Sequence, residues 1–241
     1  MNKNAEQVEL IFAMDSLAAD DAANRLIGAL HLRDKSVTLY EEPMPAQAAI
    51  GRIAMEGKPS FKIGADAVSI HFSTMRAFQL QSVTVSMGEP CPLAAWQEVV
   101  GSLLGCEGFV QACLVNSDYS FWQNAADPLQ YQVAGRSMAG LPMISNGLPA
   151  PLQKLVVDTS GNPGRRSLKG GYVEMVGHVM WFGPRFWALR GTFRRDKLLA
   201  CSDFRTSEMR HGVLRMVAAE TPFNDESSGP TQDRLRKLLF E

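Results

Sequence analysis

Residues Asp158–Trp187 read D-T-S-G-N-P-G-R-R-S-L-K-G-G-Y-V-E-M-V-G-H-V-M-W-F-G-P-R-F-W. Gly161, Pro163 and Gly164 set a stiff turn, and the paired Arg165 and Arg166 follow it. From Tyr172 to Phe182 the chain reads as apolar strand, interrupted only by Glu174, Gly177 and His178. Within and beyond it, Tyr172–Met175, Val179–Phe182, Leu198–Cys201 and Val213–Ala218 read as strands and Thr231–Phe240 as a terminal helix with Leu235, Leu238 and Leu239 on one face. Upstream, Val8–Met14, Val37–Tyr40, Val68–Phe72, Phe78–Met87, Phe109–Val115 and Leu155–Val157 read as strands. The segments after Ser16 and Leu93–Leu104 read as amphipathic helices, and Tyr119–Ala126 as a short helix or turn. Ser16 is a candidate N-cap for the first helix. Pro43 and Pro45 are expected to break regular structure. Strands mixed with helices, then dominating, predict an α+β fold: a mainly antiparallel sheet with helices packed on it.

The 241 residues suit one domain, with an internal boundary conceivable in the Pro/Gly-rich stretch 140–151; a crossing loop within one domain is the favoured reading there. A chain of this length buries roughly 70% or more of the surface it exposes when unfolded, so it needs no disulfide or metal to hold a core. Hydrophobic residues at 46% and charged residues at 20% describe an ordinary globular chain. The four cysteines, at 91, 106, 113 and 201, form no C-x-x-C pair, which predicts buried free thiols in a reducing cytosol. The first residues do not read as a secretory signal, and the apolar run 172–189 is too interrupted to span a membrane. The chain is therefore expected to be cytoplasmic.

The net charge of −1 provides no global field for nucleic acid or membrane. Its distribution is uneven. Residues 1–159 carry ten Lys+Arg against sixteen Asp+Glu, and residues 160–215 carry eleven against four. Chance scatter on a folded surface accounts for this as well as an acidic face and a basic face do.

No catalytic constellation stands out. Gly135-Arg136-Ser137-Met138-Ala139 is a degenerate nucleophile elbow, without the strand before it and helix after it that would throw Ser137 into the open. The histidines at 31, 71, 178 and 211 have no metal-ligand spacing, and Glu174 with His178 reads as a half-buried polar pair. The turn 161–166 has glycines and cations but no phosphate-loop spacing, and Pro163 lacks a donor. Arg185, Arg190, Arg194, Arg195, Lys197 and Arg205 interleave with Phe186, Trp187, Phe193 and Phe204. That pattern grips single strands in some proteins; here aromatics in the core and cations at the solvated face are the favoured reading. No metal, cofactor or direct nucleic acid is expected.

The N-P-G-R-R turn, the G-Y-V-E element and the M-W-F-G-P-R-F-W element resemble immunity protein 52, a bacterial polymorphic-toxin immunity family. The resemblance is sharpest over about thirty residues; residues 1–150 hold no motif of it. It implies a non-enzymatic binding protein that neutralises a cognate toxin, a nuclease of the restriction-endonuclease-like class, in some cases delivered by type VI secretion. An acidic face would steer towards such a toxin's cationic surface. Asp20, Asp21, Glu41, Glu42, Asp118 and Asp127 are the candidate partner-binding residues, and Trp181 and Trp187 are expected to be structural. The rival classes are a small hydrolase using Ser137 or Glu174 and His178, and a nucleic-acid-binding accessory protein using 185–205.

Overall fold

A computed structural model describes residues 5–241. Strand β1 (Glu6–Ala13) runs through its centre, and its side chains alternate as a pleated strand requires. Val8, Leu10 and Phe12 enter one core and Ile11 enters another, on the opposite face. The remaining elements of the first half are α1 (Ala19–Ala29), β2 (Ser36–Leu39), β3 (Glu42–Pro45), α2 (Ala46–Glu56), β4 (Ser60–Ala65), β5 (Val68–Met75), β6 (Leu80–Met87) and α3 (Leu93–Gly101). The second half begins with β7 (Phe109–Asn116), α4 (Ser117–Asn124), α5 (Pro128–Val133), β8 (Met143–Ser145), β9 (Leu155–Val157), β10 (Ser167–Lys169) and β11 (Tyr172–Glu174). It ends with β12 (Val179–Phe182), α6 (Pro184–Arg190), α7 (Thr192–Ala200), β13 (Arg205–Glu208), β14 (Leu214–Val217) and α8 (Gly229–Leu239).

Ten strands form one antiparallel sheet in the order β13-β14-β12-β7-β1-β6-β5-β4-β2-β3. The two halves of the chain thus meet at the β1–β7 pair. Helices α1, α2 and α3 cover one face through Leu26, Ile53, Trp96 and Val100. Helices α6, α7 and α8 cover the other through Phe186, Leu198, Leu235 and Leu239. The α+β expectation holds. Each helical layer is offset towards its own half of the sheet. Over β2, β4 and β5 the uncovered face is accordingly polar, with Thr38, Lys62 and His71 exposed at alternate positions. Among the described residues no helix is long and apolar enough to cross a membrane.

Three local expectations need correction. The Leu198–Cys201 segment belongs to helix α7, not to a strand. A four-residue apolar run does not distinguish the two, and the preceding Arg-Arg-Asp-Lys favours helix. Ser16 does not cap α1; Ala18 occupies that position, and the Ser16 hydroxyl donates to the Ala13 carbonyl at 2.7 Å. Gln81 of β6 orders this connection instead, accepting from the Ser16 and Leu17 amides and donating to the Leu17 carbonyl. Pro43 and Pro45 do not end regular structure but lie in β3, the sheet's outermost strand, where a missing N–H costs no ladder bond. The strands read at Tyr172–Met175 and Val179–Phe182 are both present, β11 in a two-stranded sheet with β10 and β12 in the main sheet. The break falls at Gly177, where a Cβ would lie 2.3 Å from the Leu114 carbonyl oxygen.

A candidate protein-interaction surface

The stretch Asp158–Trp187 does structural work. Its turn is clasped from three sides. From α4, the Gln123 side chain accepts from the Gly164 amide at 2.9 Å and the Asn124 side chain accepts from the Arg166 amide at 2.6 Å. From α8, buried Arg236 donates to the Pro163 carbonyl at 2.7 Å and to the Arg165 carbonyl. From β1, buried Glu9 receives the Arg166 guanidinium in a two-pronged pair at 2.6 and 3.0 Å, and the Ser82 hydroxyl donates to the same carboxylate. A planar fork meeting a carboxylate is the strongest geometry such a pair can take. Burial lowers the Arg236 pKa to about 10, with Arg165 adding to the effect. Trp181 and Trp187 are both buried in the core as expected, Trp187 with its ring 5.1 Å from that of Phe182.

The rival sites come apart. Ser137 is exposed, and its hydroxyl accepts from the Ala139 amide in a local turn. Glu174 pairs with Lys169 at 3.5 Å, whereas His178 is buried against Phe223. In the basic segment, Phe186, Trp187 and Phe204 are buried. Arg190 donates to the Tyr172 hydroxyl and the Phe240 carbonyl, Arg194 to Leu238, Arg195 pairs with Glu208 and Arg205 with Glu220. Those cations are engaged with the protein itself. Among the described residues, no group of three His, Cys, Asp or Glu side chains is placed to hold a metal ion.

The six acidic candidates do not share one surface. Asp20 and Asp21 open α1 after the C-terminal end of β1. Asp118 opens α4 after β7, beside the start of β1 where Glu6 faces Asn116. Eight strand residues, about 25 Å, separate those ends. Glu41 lies in the β2–β3 turn and Glu42 opens β3, at the far edge of the sheet. Asp21 pairs with Arg25 at 2.8 Å, and Glu42 with Arg52. Asp127 caps α5, where the Leu129 amide and then Lys154 hold its carboxyl below the usual range.

Asp127 borders an exposed apolar surface. Trp122, Ala125, Tyr131, Met138 and Val157 make a small satellite core that joins α4, α5 and β9. Over it lies a groove of about 370 Å³ lined by Phe121, Trp122, Leu129 and Val133. Leu129 is 59% exposed and Val133 80%. The β8–β9 hairpin is tied to the α4–α5 connection by the Val157 amide, which donates to the Ala126 carbonyl at 2.8 Å. On the hairpin Ile144 is 51%, Leu152 67% and Leu155 61% exposed. Between Pro128 and Gln153 Arg136 is the sole charged side chain, and its guanidinium carbon sits over the Trp122 ring, 4.1 Å from the centroid. Exposed apolar, charge-poor surface of this kind is common at protein interaction sites of other folded chains. None of Leu129, Val133, Ile144, Leu152 or Leu155 was among the sequence candidates. The available signal was the apolar residues of a Pro/Gly-rich stretch almost without charge.

No protein-family model matches the chain. No curated protein matches it. Among solved structures, the fold is similar to that of the Pseudomonas aeruginosa T6SS protein PA0821, with a TM-score of 0.55 and 16% identity. The likeness covers 98% of this chain and 73% of that one. At that identity the similarity is one of fold.

Proposed function

We propose that this chain is an immunity-type protein that binds a bacterial toxin effector and neutralises it by direct contact, without chemistry of its own. The exposed apolar surface of α4, α5 and the β8–β9 hairpin carries the reading, because a chain with a well-filled core has no structural use for it. Two further observations support it. The fold resembles that of a protein named for type VI secretion, a system that delivers effectors. The N-P-G-R-R turn, the G-Y-V-E element and the M-W-F-G-P-R-F-W element resemble an immunity family, and the turn's residues are spent on holding the fold. In this reading Leu129, Val133 and Ile144 are the anchors, and Asp118 and Asp127 lie at the polar rim. The toxin is a nuclease, whose cationic surface the acidic N-terminal half steers towards.

The test is co-expression with the effector encoded beside the chain's own gene. Leu129→Asp with Val133→Asp is expected to abolish protection and complex formation while the melting temperature stays within about 2 °C of wild type. Protection that persists with no complex detectable by gel filtration sinks the binding mechanism.

A further inference from the structure

The β8–β9 hairpin ends in an open edge. The Asn146 amide donates to the Lys154 carbonyl at 3.0 Å and the Asp158 amide to the Pro142 carbonyl at 2.8 Å. With Met143 opposite Val157 and Ser145 opposite Leu155, the bonded positions of β8 are 142, 144 and 146. Met143 and Ser145 therefore aim both their N–H and C=O groups away from the hairpin, and among the described residues these groups have no partner. On the other strand one of the two outward positions is already used, since the Val157 amide bonds to Ala126, and Leu155 is the other.

The main sheet treats its edges differently. Strand β3 carries Pro43 and Pro45, and β13 is flanked by the paired charges of Arg205 and Glu208. Those features discourage another strand from joining. Strand β8 contains neither proline nor charge within Met143–Ser145, and its side chains are exposed.

We infer that β8 is a receptor strand: an extended apolar segment of the bound effector pairs its main chain with Met143 and Ser145 and continues the hairpin by one strand. This rests on the reading of the surrounding surface as the partner site. Main-chain bonds give such a contact its affinity, and alternate side chains give it selectivity. On one side of the added strand stands Ile144, on the other Met143, so the matching segment alternates apolar side chains. The absence of charge makes this recognition insensitive to salt, unlike steering by the acidic half.

The experiment uses the full-length chain and the purified effector encoded beside its gene. Amide exchange at Met143 and Ser145 is expected to slow by about tenfold or more in the complex. Met143→Pro removes the outward N–H and no hairpin bond, and is expected to weaken binding by about tenfold, against about threefold or less for Met143→Ala. A complex in which both amides exchange as in the free chain, or in which the Pro and Ala variants bind alike, overturns the receptor strand and leaves the immunity reading standing. Protection of both amides by concentration alone, without effector, overturns it in favour of self-pairing. Failure to form any complex overturns the immunity reading and the receptor strand together.

Discussion

His178 shows how a single buried residue sets the chain's response to acid. It is 4% exposed, packs on Phe223, and its Nδ1 has no hydrogen-bond partner among the described residues. Burial lowers its pKa from 6.5 to about 4, with hydrogen bonding to the Leu114 backbone opposing weakly. Above pH 6.5 the ring is neutral in folded and unfolded chains alike, so it costs nothing. As pH falls from 6.5 towards 4 the unfolded chain takes up a proton that the folded chain refuses, and stability is lost at up to about 1.4 kcal/mol per pH unit. The expected loss is about 2–3 kcal/mol between pH 7 and pH 4.5. Urea unfolding of wild type and His178→Gln at both pH values checks this: the variant should lose less stability than wild type by about that amount. Equal losses would remove His178 from the account. Trp181 and Trp187 tell a related story. Each reads as structural in the sequence, and each is buried with its indole N–H unpaired among the described residues, so shape rather than hydrogen bonding positions them.

At the scale of elements, the turn 158–166 and helix α8 depend on one another. The turn's Pro163 and Arg165 carbonyls point into the protein and are satisfied by the Arg236 guanidinium. Removing that group leaves two inward-facing acceptors without partners, at a cost of about 2–4 kcal/mol. Arg236→Ala is therefore expected to lower the melting temperature by several degrees. Arg236→Lys should recover little, because an ammonium does not reproduce the planar fork. Thermal melts of the two variants decide it; a rescued lysine variant would show that charge alone suffices. The same scale explains why α6 and α7 were illegible. Pro184 starts a seven-residue helix directly after the strand Val179–Phe182, and α7 buries only Leu198. Elements this short leave too few apolar repeats to show a helical period.

Across the whole molecule, charge is separated from the surface proposed for docking. Asp20, Asp21, Glu41 and Glu42 lie on the first half, and the apolar surface belongs to α4, α5 and the hairpin. Groups outside the contact act on the rate of encounter rather than on the lifetime of the complex. Reversing Asp20 with Asp21, or Glu41 with Glu42, to lysine is expected to slow association several-fold at low salt and to leave dissociation nearly unchanged. The effect should vanish near 0.5 M salt, where screening is complete within a few ångströms. Stopped-flow binding to the effector at two ionic strengths measures both rates. A dominant change in dissociation would place those carboxylates inside the contact.

The sequence by itself determined the α+β class, the antiparallel character of the sheet and most strands of its centre. Val179–Phe182 and Phe109–Asn116 are flanked by turn signals and apolar enough that local pattern leaves one reading. It also determined that the aromatics of 181–187 are core. What only the tertiary structure decided is where the clasp residues lie and which apolar side chains are left exposed. Glu9 and Arg166 are 157 positions apart, and their pairing follows from how β1 and the turn are brought together. Leu129, Val133 and Ile144 are the same residue types that fill the core. Their exposure depends on which surfaces other elements leave uncovered, and an apolar side chain carries no local mark of whether a helix, a strand or a partner will cover it.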